Sequence, residues 1–188
     1  MTEPAKRRAS YEEILNLPEH LVGEILGGKL YTHPRPAPKH ARASSAIGGM
    51  LGDHYDWGRG PGGWWILDEP ELHLGGDILV PDLAGWRRER LPTLPETAGF
   101  ELPPDWICEV LSPTTARLDR AVKMPIYARY GVPHLWLIDP DLKTLEVYAI
   151  HHTQSTPHWL LLATLEGEAS VRQPPFDAIE FSLATLWV

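Results

Sequence analysis

Residues 106–139 read WICEVLSPTTARLDRAVKMPIYARYGVPHLWLID, and this stretch decides the fold. Two short apolar runs, WICEVL (106–111) and HLWLID (134–139), have the length and composition of buried strands. Between them the pattern predicts a helix from about Thr115 to Tyr130, kinked at Pro125 and stopped by Gly131. The unit is therefore strand–helix–strand. Its first strand carries one charged residue, Glu109, among apolar neighbours. A carboxylate buried in such a run is costly unless it is paired or bound to a cation, so Glu109 needs a chemical reason to be there.

Upstream, Ser10-Tyr-Glu-Glu13 fits a capping box that opens a short helix closed by Pro18. LVGEILGGKLYTHP (21–34) flanks Gly27-Gly28 with two short runs and predicts a β-hairpin. Pro34, Pro36 and Pro38 mark an extended loop. Ala43, Ile47, Met50, Leu51 and Tyr55 then recur at helical spacing over 39–55. WGRGPGG (57–63) matches G-x-G-x-x-G at Gly58, Gly60 and Gly63. A helix precedes it and a Trp-rich strand follows, the reverse of a dinucleotide-binding turn, so it reads as a connection. Strand-like runs follow at 64–67, 71–74 and 78–86, then a long polar, Pro-rich loop (87–105). Downstream of the decisive unit, LEVYAI and WLLLATL continue the strand series. The elements predict an α/β (α+β) domain with one mixed sheet and helices against it. Residues 1–9 are expected to be a flexible N-terminus and 10–188 a single domain.

Composition narrows the function classes. The chain has 188 residues, 43% hydrophobic and 22% charged, which suits one globular domain able to bury its own core. A single cysteine, Cys108, excludes an intrachain disulfide framework and a multi-cysteine zinc cage. The histidines show neither HxxxH nor HxH spacing, so no zinc site is expected. The opening MTEPAKRRASYEEIL lacks the apolar segment of a secretory signal, and no run reaches the roughly 18 residues of a membrane span. A reducing cytoplasm and no membrane association follow as expectations. The net charge of −8 argues against coating nucleic acid by bulk attraction and leaves room only for a local basic groove. Eight tryptophans suit core or subunit contacts and suggest a homodimer.

Asp82 follows ILVP at a place where Pro81 interrupts a strand ladder. If its strand neighbours that of Glu109, the two carboxylates face each other. Two readings are open: hydrogen-bonded core carboxylates, or oxygen ligands of Mg²⁺ in metal-assisted phosphodiester hydrolysis. Asp119, Lys123 and Tyr127 share a helix face at i, i+4, i+8. Lys123 either reaches the carboxylates and offsets transition-state charge, or forms a surface pair with Asp119. His40, in the first turn of the second helix, either contacts a scissile phosphate or orients water, or is a capping or surface histidine. Arg87, Arg88 and Arg90 follow the Asp82 strand, and Arg117, Arg120 and Arg129 decorate the Lys123 helix. Of these Arg87, Arg88, Arg117 and Arg120 are candidate contacts to a nucleic-acid backbone, or else ordinary solvated charges. Cys108 alternates to the face opposite Glu109 and reads as a buried, inert thiol.

The segments Pro81-Asp82, PPDWICEVLSPTT (103–115), LDRAVKMPIYARYGVPHLWLIDP (118–140) and LEVYAI resemble the PD-(D/E)xK nuclease superfamily. Within it they are similar to the bacterial Uma-two family of endonucleases. The resemblance implies a restriction-endonuclease-like fold with a mixed central β-sheet flanked by helices. It also implies Asp82 and Glu109 as Mg²⁺ ligands, with Mn²⁺ as a possible substitute, and Lys123 as the catalytic lysine. The superfamily's lysine stands two positions after the glutamate, where this chain has Leu111; the following helix supplies Lys123 instead. Glu24, in VGEILGGKL, matches the acidic residue such nucleases carry near the N-terminus as an additional metal or water ligand; the other reading is an exposed hairpin glutamate. The function expected is Mg²⁺-dependent hydrolysis of DNA, with Asp82, Glu109, Lys123, Glu24 and His40 as the site. The rival is a non-catalytic homodimeric module that retains the fold and binds nucleic acid or protein.

Overall fold

The computed structural model describes residues 7–152 and 156–188. The flexible segment expected at 1–9 lies outside the described residues over 1–6; at Ala9 the backbone N–H donates to the Gly28 carbonyl at 2.9 Å. A short helix α1 (Tyr11–Leu15) follows, with the Glu13 carboxylate accepting from the Ser10 amide at 2.8 Å, as the capping box requires. Strands β1 (Leu21–Leu26) and β2 (Lys29–Pro34) form the expected antiparallel hairpin. Gly27 and Gly28 both take positive φ, 60° and 77°, which a tight two-residue turn demands. Helix α2 (Pro38–Leu51) continues into a π-helical turn over Gly52–Asp56.

Next come β3 (Trp64–Asp68), β4 (Glu71–Leu74), β5 (Asp77–Leu79), β6 (Leu83–Arg87), β7 (Gly99–Phe100) and β8 (Trp106–Val110). Where one strand was expected across 78–86, the chain forms two, because Pro81 has no amide for the ladder and the backbone leaves one sheet there for another. The crossover expected as a single kinked helix is three joined segments: α3 (Ala116–Leu118), a π-helical turn (Asp119–Lys123) and α4 (Met124–Arg129). The wide turn lies immediately before Pro125, which cannot donate to the carbonyl one α-turn behind it. Strands β9 (His134–Asp139), β10 (Thr144–His152) and β11 (Pro157–Glu166) complete the framework.

The expected single sheet is replaced by two larger ones. One runs β2-β1-β5-β4-β7; the other runs β11-β10-β9-β8-β6-β3, with β8 and β9 parallel across the helical crossover. A small two-stranded ribbon lies near the C-terminus. Alternation along β8 sorts the interior into two cores. Trp106, Cys108 and Val110 face α2 and the C-terminal segment, in a cluster with Ala43, Ile47 and Phe176. Ile107 and Leu111 face the other way, with Leu26, Leu72, Leu79, Ile126 and Tyr127 from the smaller sheet and α4. Cys108 is thus buried opposite Glu109, and burial pushes its thiol well above the usual range.

Half of the eight tryptophans lie in the interior. Trp64, Trp86, Trp106 and Trp136 are buried, whereas Trp57 is 66% exposed. Phe176 packs its ring against Tyr55, Trp64, Trp106 and Trp136, at centroid distances of 4.7–5.7 Å. Among the described residues, no helix is long and apolar enough to cross a membrane. Phe176→Ala should therefore cost about 3–5 kcal/mol in urea unfolding. A loss near zero would mean that this ring does not pin the C-terminal segment to the core.

Candidate active site

The strand break that separates β5 from β6 also builds the site. Val80 lies between the two sheets, and both of its backbone groups are taken by charged side chains. Its N–H donates to Glu24 Oε1 at 2.8 Å, and its carbonyl accepts from Lys123 Nζ at 3.2 Å. Two residues on, Asp82 precedes β6, where Leu83 is opposite Cys108. Continuing that antiparallel register by one places Asp82 opposite Glu109. Asp82 Oδ2 accepts from the Val110 amide at 2.7 Å, and Oδ1 lies 3.2 Å from His40 Nε2 at the start of α2.

The π-helical turn carries Lys123 inward. Its ammonium lies 2.8 Å from Glu109 Oε1, 3.1 Å from Glu24 Oε1 and 3.7 Å from Asp119 Oδ1. One turn later the Tyr127 hydroxyl donates to Glu109 Oε1 at 2.5 Å. Glu24, Glu109 and Lys123 are 0%, 2% and 3% exposed. The surface Asp119–Lys123 pair and the exposed hairpin glutamate are therefore both excluded, and His40 is buried against Asp82 rather than serving as a surface cap. These groups face a cavity of about 340 Å³, walled by residues 34–37 on one side and 112–115 on the other.

The electrostatics follow from several carboxylates sharing one lysine. Burial pushes the Glu109 carboxyl well above its ordinary range, against the pull of Lys123. Burial also opposes the charge on Lys123, but Glu109 and Glu24 outweigh it and hold the ammonium well above the usual lysine range. For Glu24 the desolvation is overcome by Lys123, His33 and the Val80 amide, and its pKa falls. For His40 burial is outweighed by Asp82, and its pKa rises. The cluster keeps its ammonium charged and Glu24 readily ionised, while the Glu109 carboxyl resists ionisation.

Among the described residues, no group of three His, Cys, Asp or Glu side chains is gathered closely enough to hold a metal ion. The donor chemistry nevertheless fits a hard cation. Asp82, Glu109 and Glu24 offer only oxygen, and Glu24 Oε2 is buried without a hydrogen-bond partner among the described residues, 3.7 Å from His33 Nε2. His33 and Tyr127 are the residues that sequence reasoning left without a role. Tyr127 was one step further along the face that links Asp119 to Lys123. His33 was legible from the hairpin turn, whose register sets it opposite Val22 and diagonal to Glu24.

The arginines are placed differently from expectation. Arg87 and Arg88 lie at the far end of β6, roughly 17 Å of strand from Asp82. Arg88 is held by Asp56 at 2.5 Å and stacked on Trp65, and Arg87 lies 4.6 Å over the Trp64 ring. Arg120 makes two 2.8 Å bonds to Glu146. Arg117 is exposed and falls in sequence between the cavity residues Thr115 and Leu118, while Arg35, which the sequence did not single out, is exposed and lines the cavity itself.

Removing the lysine should expose the cost of the cluster. Lys123→Ala strands its carboxylates and should lower stability by about 3–5 kcal/mol at neutral pH, as for other broken buried pairs. Adding Glu109→Gln should recover part of that loss. A loss within about 1 kcal/mol, the range of surface pairs, would mean that Lys123 is not buried in solution.

With this geometry established, comparison with known proteins is informative. No curated protein matches the chain. The crystal structure of a protein from Anabaena variabilis, described as "a putative nuclease belonging to DUF820", is similar with a TM-score of 0.71 and 26% sequence identity. The match covers 93% of this chain and 95% of that one. The profile of the Uma2 family, described as "Putative restriction endonuclease", matches residues 10–185. That span contains Glu24, His40, Asp82, Glu109 and Lys123 and nearly the whole described chain, so the protein belongs to the Uma2 family.

Proposed function

We propose that the protein is a Mg²⁺-dependent endonuclease that hydrolyses DNA phosphodiester bonds at the cavity floored by Asp82, Glu109 and Lys123. The observation that carries this reading is the convergence of Lys123 on Glu109 and Glu24 beside Asp82, from separate segments, at the base of a cavity. A fold held together by burial alone would have no use for that many charges in one place.

Asp82 and Glu109, with Glu24 beside them, would hold Mg²⁺ or Mn²⁺, which would supply activation of a water molecule and neutralise charge on the leaving oxygen. The chain's own groups do the rest. Lys123, kept charged by its carboxylates, faces the negative charge that accumulates on the phosphate oxygens in the transition state. His40 fixes one oxygen of Asp82 and the Val110 amide fixes the other, so that carboxylate is oriented before substrate arrives. Tyr127 does the same for Glu109. Water is the nucleophile, and no covalent enzyme intermediate forms.

We further propose that the protein acts in the cytoplasm, which suits its lone buried thiol, and as a homodimer. Leu160, Leu161 and Leu162, exposed together on the edge strand β11, support self-association better than the interior tryptophans do. The net charge of −8 and the internally paired arginines favour the rival, a non-catalytic binding module.

A cleavage assay separates the two. With Mg²⁺ present the wild-type protein should cut DNA, and Asp82→Asn or Glu109→Gln should abolish cutting while circular dichroism stays native. Wild-type rates in either variant would remove these residues as ligands. Metal should also stabilise the fold without DNA. For a Kd of roughly 1 mM, about 10 mM Mg²⁺ adds on the order of 1.4 kcal/mol, a melting shift of roughly 3–6 °C at this chain length. The shift should vanish in Asp82→Asn; an equal shift in both proteins would place the ion elsewhere.

A further inference from the structure

The groups that the nuclease reading uses lie at the bottom of a pit, not on an open face. Asp82 and His40 keep side-chain exposures of only 17% and 11%, and the other members are nearly sealed. The cavity, at about 340 Å³, is near the small end of the roughly 300–1,000 Å³ typical of small-ligand pockets. Prolines and local hydrogen bonds shape its walls. Pro34, Pro36 and Pro38 constrain the segment between β2 and α2. On the other side Ser112 Oγ hydrogen-bonds Thr114 Oγ1 at 3.0 Å and Thr115 Oγ1 at 2.9 Å. Above the charged floor the lining includes apolar surface from Val22, Pro34, Pro36, Pro113 and Leu118.

A phosphate in paired DNA sits on a wide, stiff cylinder between neighbouring phosphates, whereas the polar groups here are recessed between residues 34–37 and 112–115. A single nucleotide out of the stack fits the scale of the cavity, with base or sugar against the proline walls and phosphate towards Lys123. Charge points the same way. A protein that grips a duplex does so through many phosphate contacts. Here the net charge is −8, and Arg88 and Arg120 are engaged by Asp56 and Glu146. We infer that the substrate is unpaired DNA, either a single strand or a nucleotide extruded at a bulge or mismatch, rather than an intact duplex. The inference rests on the nuclease reading of the same site and specifies its substrate.

Three DNAs of one sequence test it in Mg²⁺: a single strand, a fully paired duplex, and that duplex with a three-nucleotide bulge. Cut positions are read on a sequencing gel. Unpairing a nucleotide is the step the paired DNA must add. The single strand, and the bulged duplex at its bulge, should therefore be cut roughly tenfold to a hundredfold faster than interior paired positions. Interior paired positions cut as fast as the single strand would overturn the inference and leave the nuclease reading standing. Cutting of none of the three would overturn both. Asp82→Asn gives a readout independent of turnover: fluorescence anisotropy should show tighter binding of the labelled single strand than of the duplex. Equal or tighter duplex binding would count against the pit as the entry route.

Discussion

The buried ammonium of Lys123 is the constraint on which the rest of the structure depends. It is held by Glu109 from the larger sheet, Glu24 from the hairpin and Asp119 from its own helical turn. None of these charges tolerates burial alone, so each element is obliged to stay where the others are. Val80 adds the backbone to the same knot, giving its N–H to Glu24 and its carbonyl to Lys123. The two sheets meet at that residue. The charged cluster and the junction of the two sheets are therefore the same place, and a substitution that weakens one disturbs the other.

The larger core serves as the frame for this junction. Trp106, Trp136 and Phe176 pack at near-perpendicular ring angles beneath α2, which carries Ala43, Ile47 and Leu51 into the same cluster. That packing fixes the start of α2, where His40 reaches Asp82. On the opposite face Ile126 and Tyr127 anchor α4 in the second core, and the turn before it delivers Lys123. Rigid side chains on two faces of one sheet thus position polar groups that converge at its end. Such preorganisation is what electrostatic catalysis requires, since groups already oriented need not reorganise during reaction.

The exterior has a different character. Several arginines are paired within the chain: Arg88 on Asp56, Arg90 on Asp105, Arg120 on Glu146 and Arg129 on Asp77. These pairs tie loops and helices to strands.

The strand–helix–strand unit of residues 106–139 was legible because burial and periodicity are local properties. Short apolar runs, a proline and a terminal glycine are enough to define it, and the Gly27-Gly28 turn defines the hairpin in the same way. The chemical oddity of Glu109 was also local, since a carboxylate among apolar neighbours demands a partner wherever the chain goes. The partners themselves were not local. Whether Glu24 was exposed or buried, whether Lys123 paired at the surface or in the core, and whether His40 capped a helix all turned on contacts between segments distant in sequence. The run at 78–86 shows the same limit: Pro81 signalled a break, but not that the chain changes sheets there. Arg88 and Arg120 looked free because Asp56 and Glu146 lie 32 and 26 residues away from them. Sequence fixes which groups need a partner; only the tertiary fold, by burying some and bringing others within about 3 Å, decides which partner each receives.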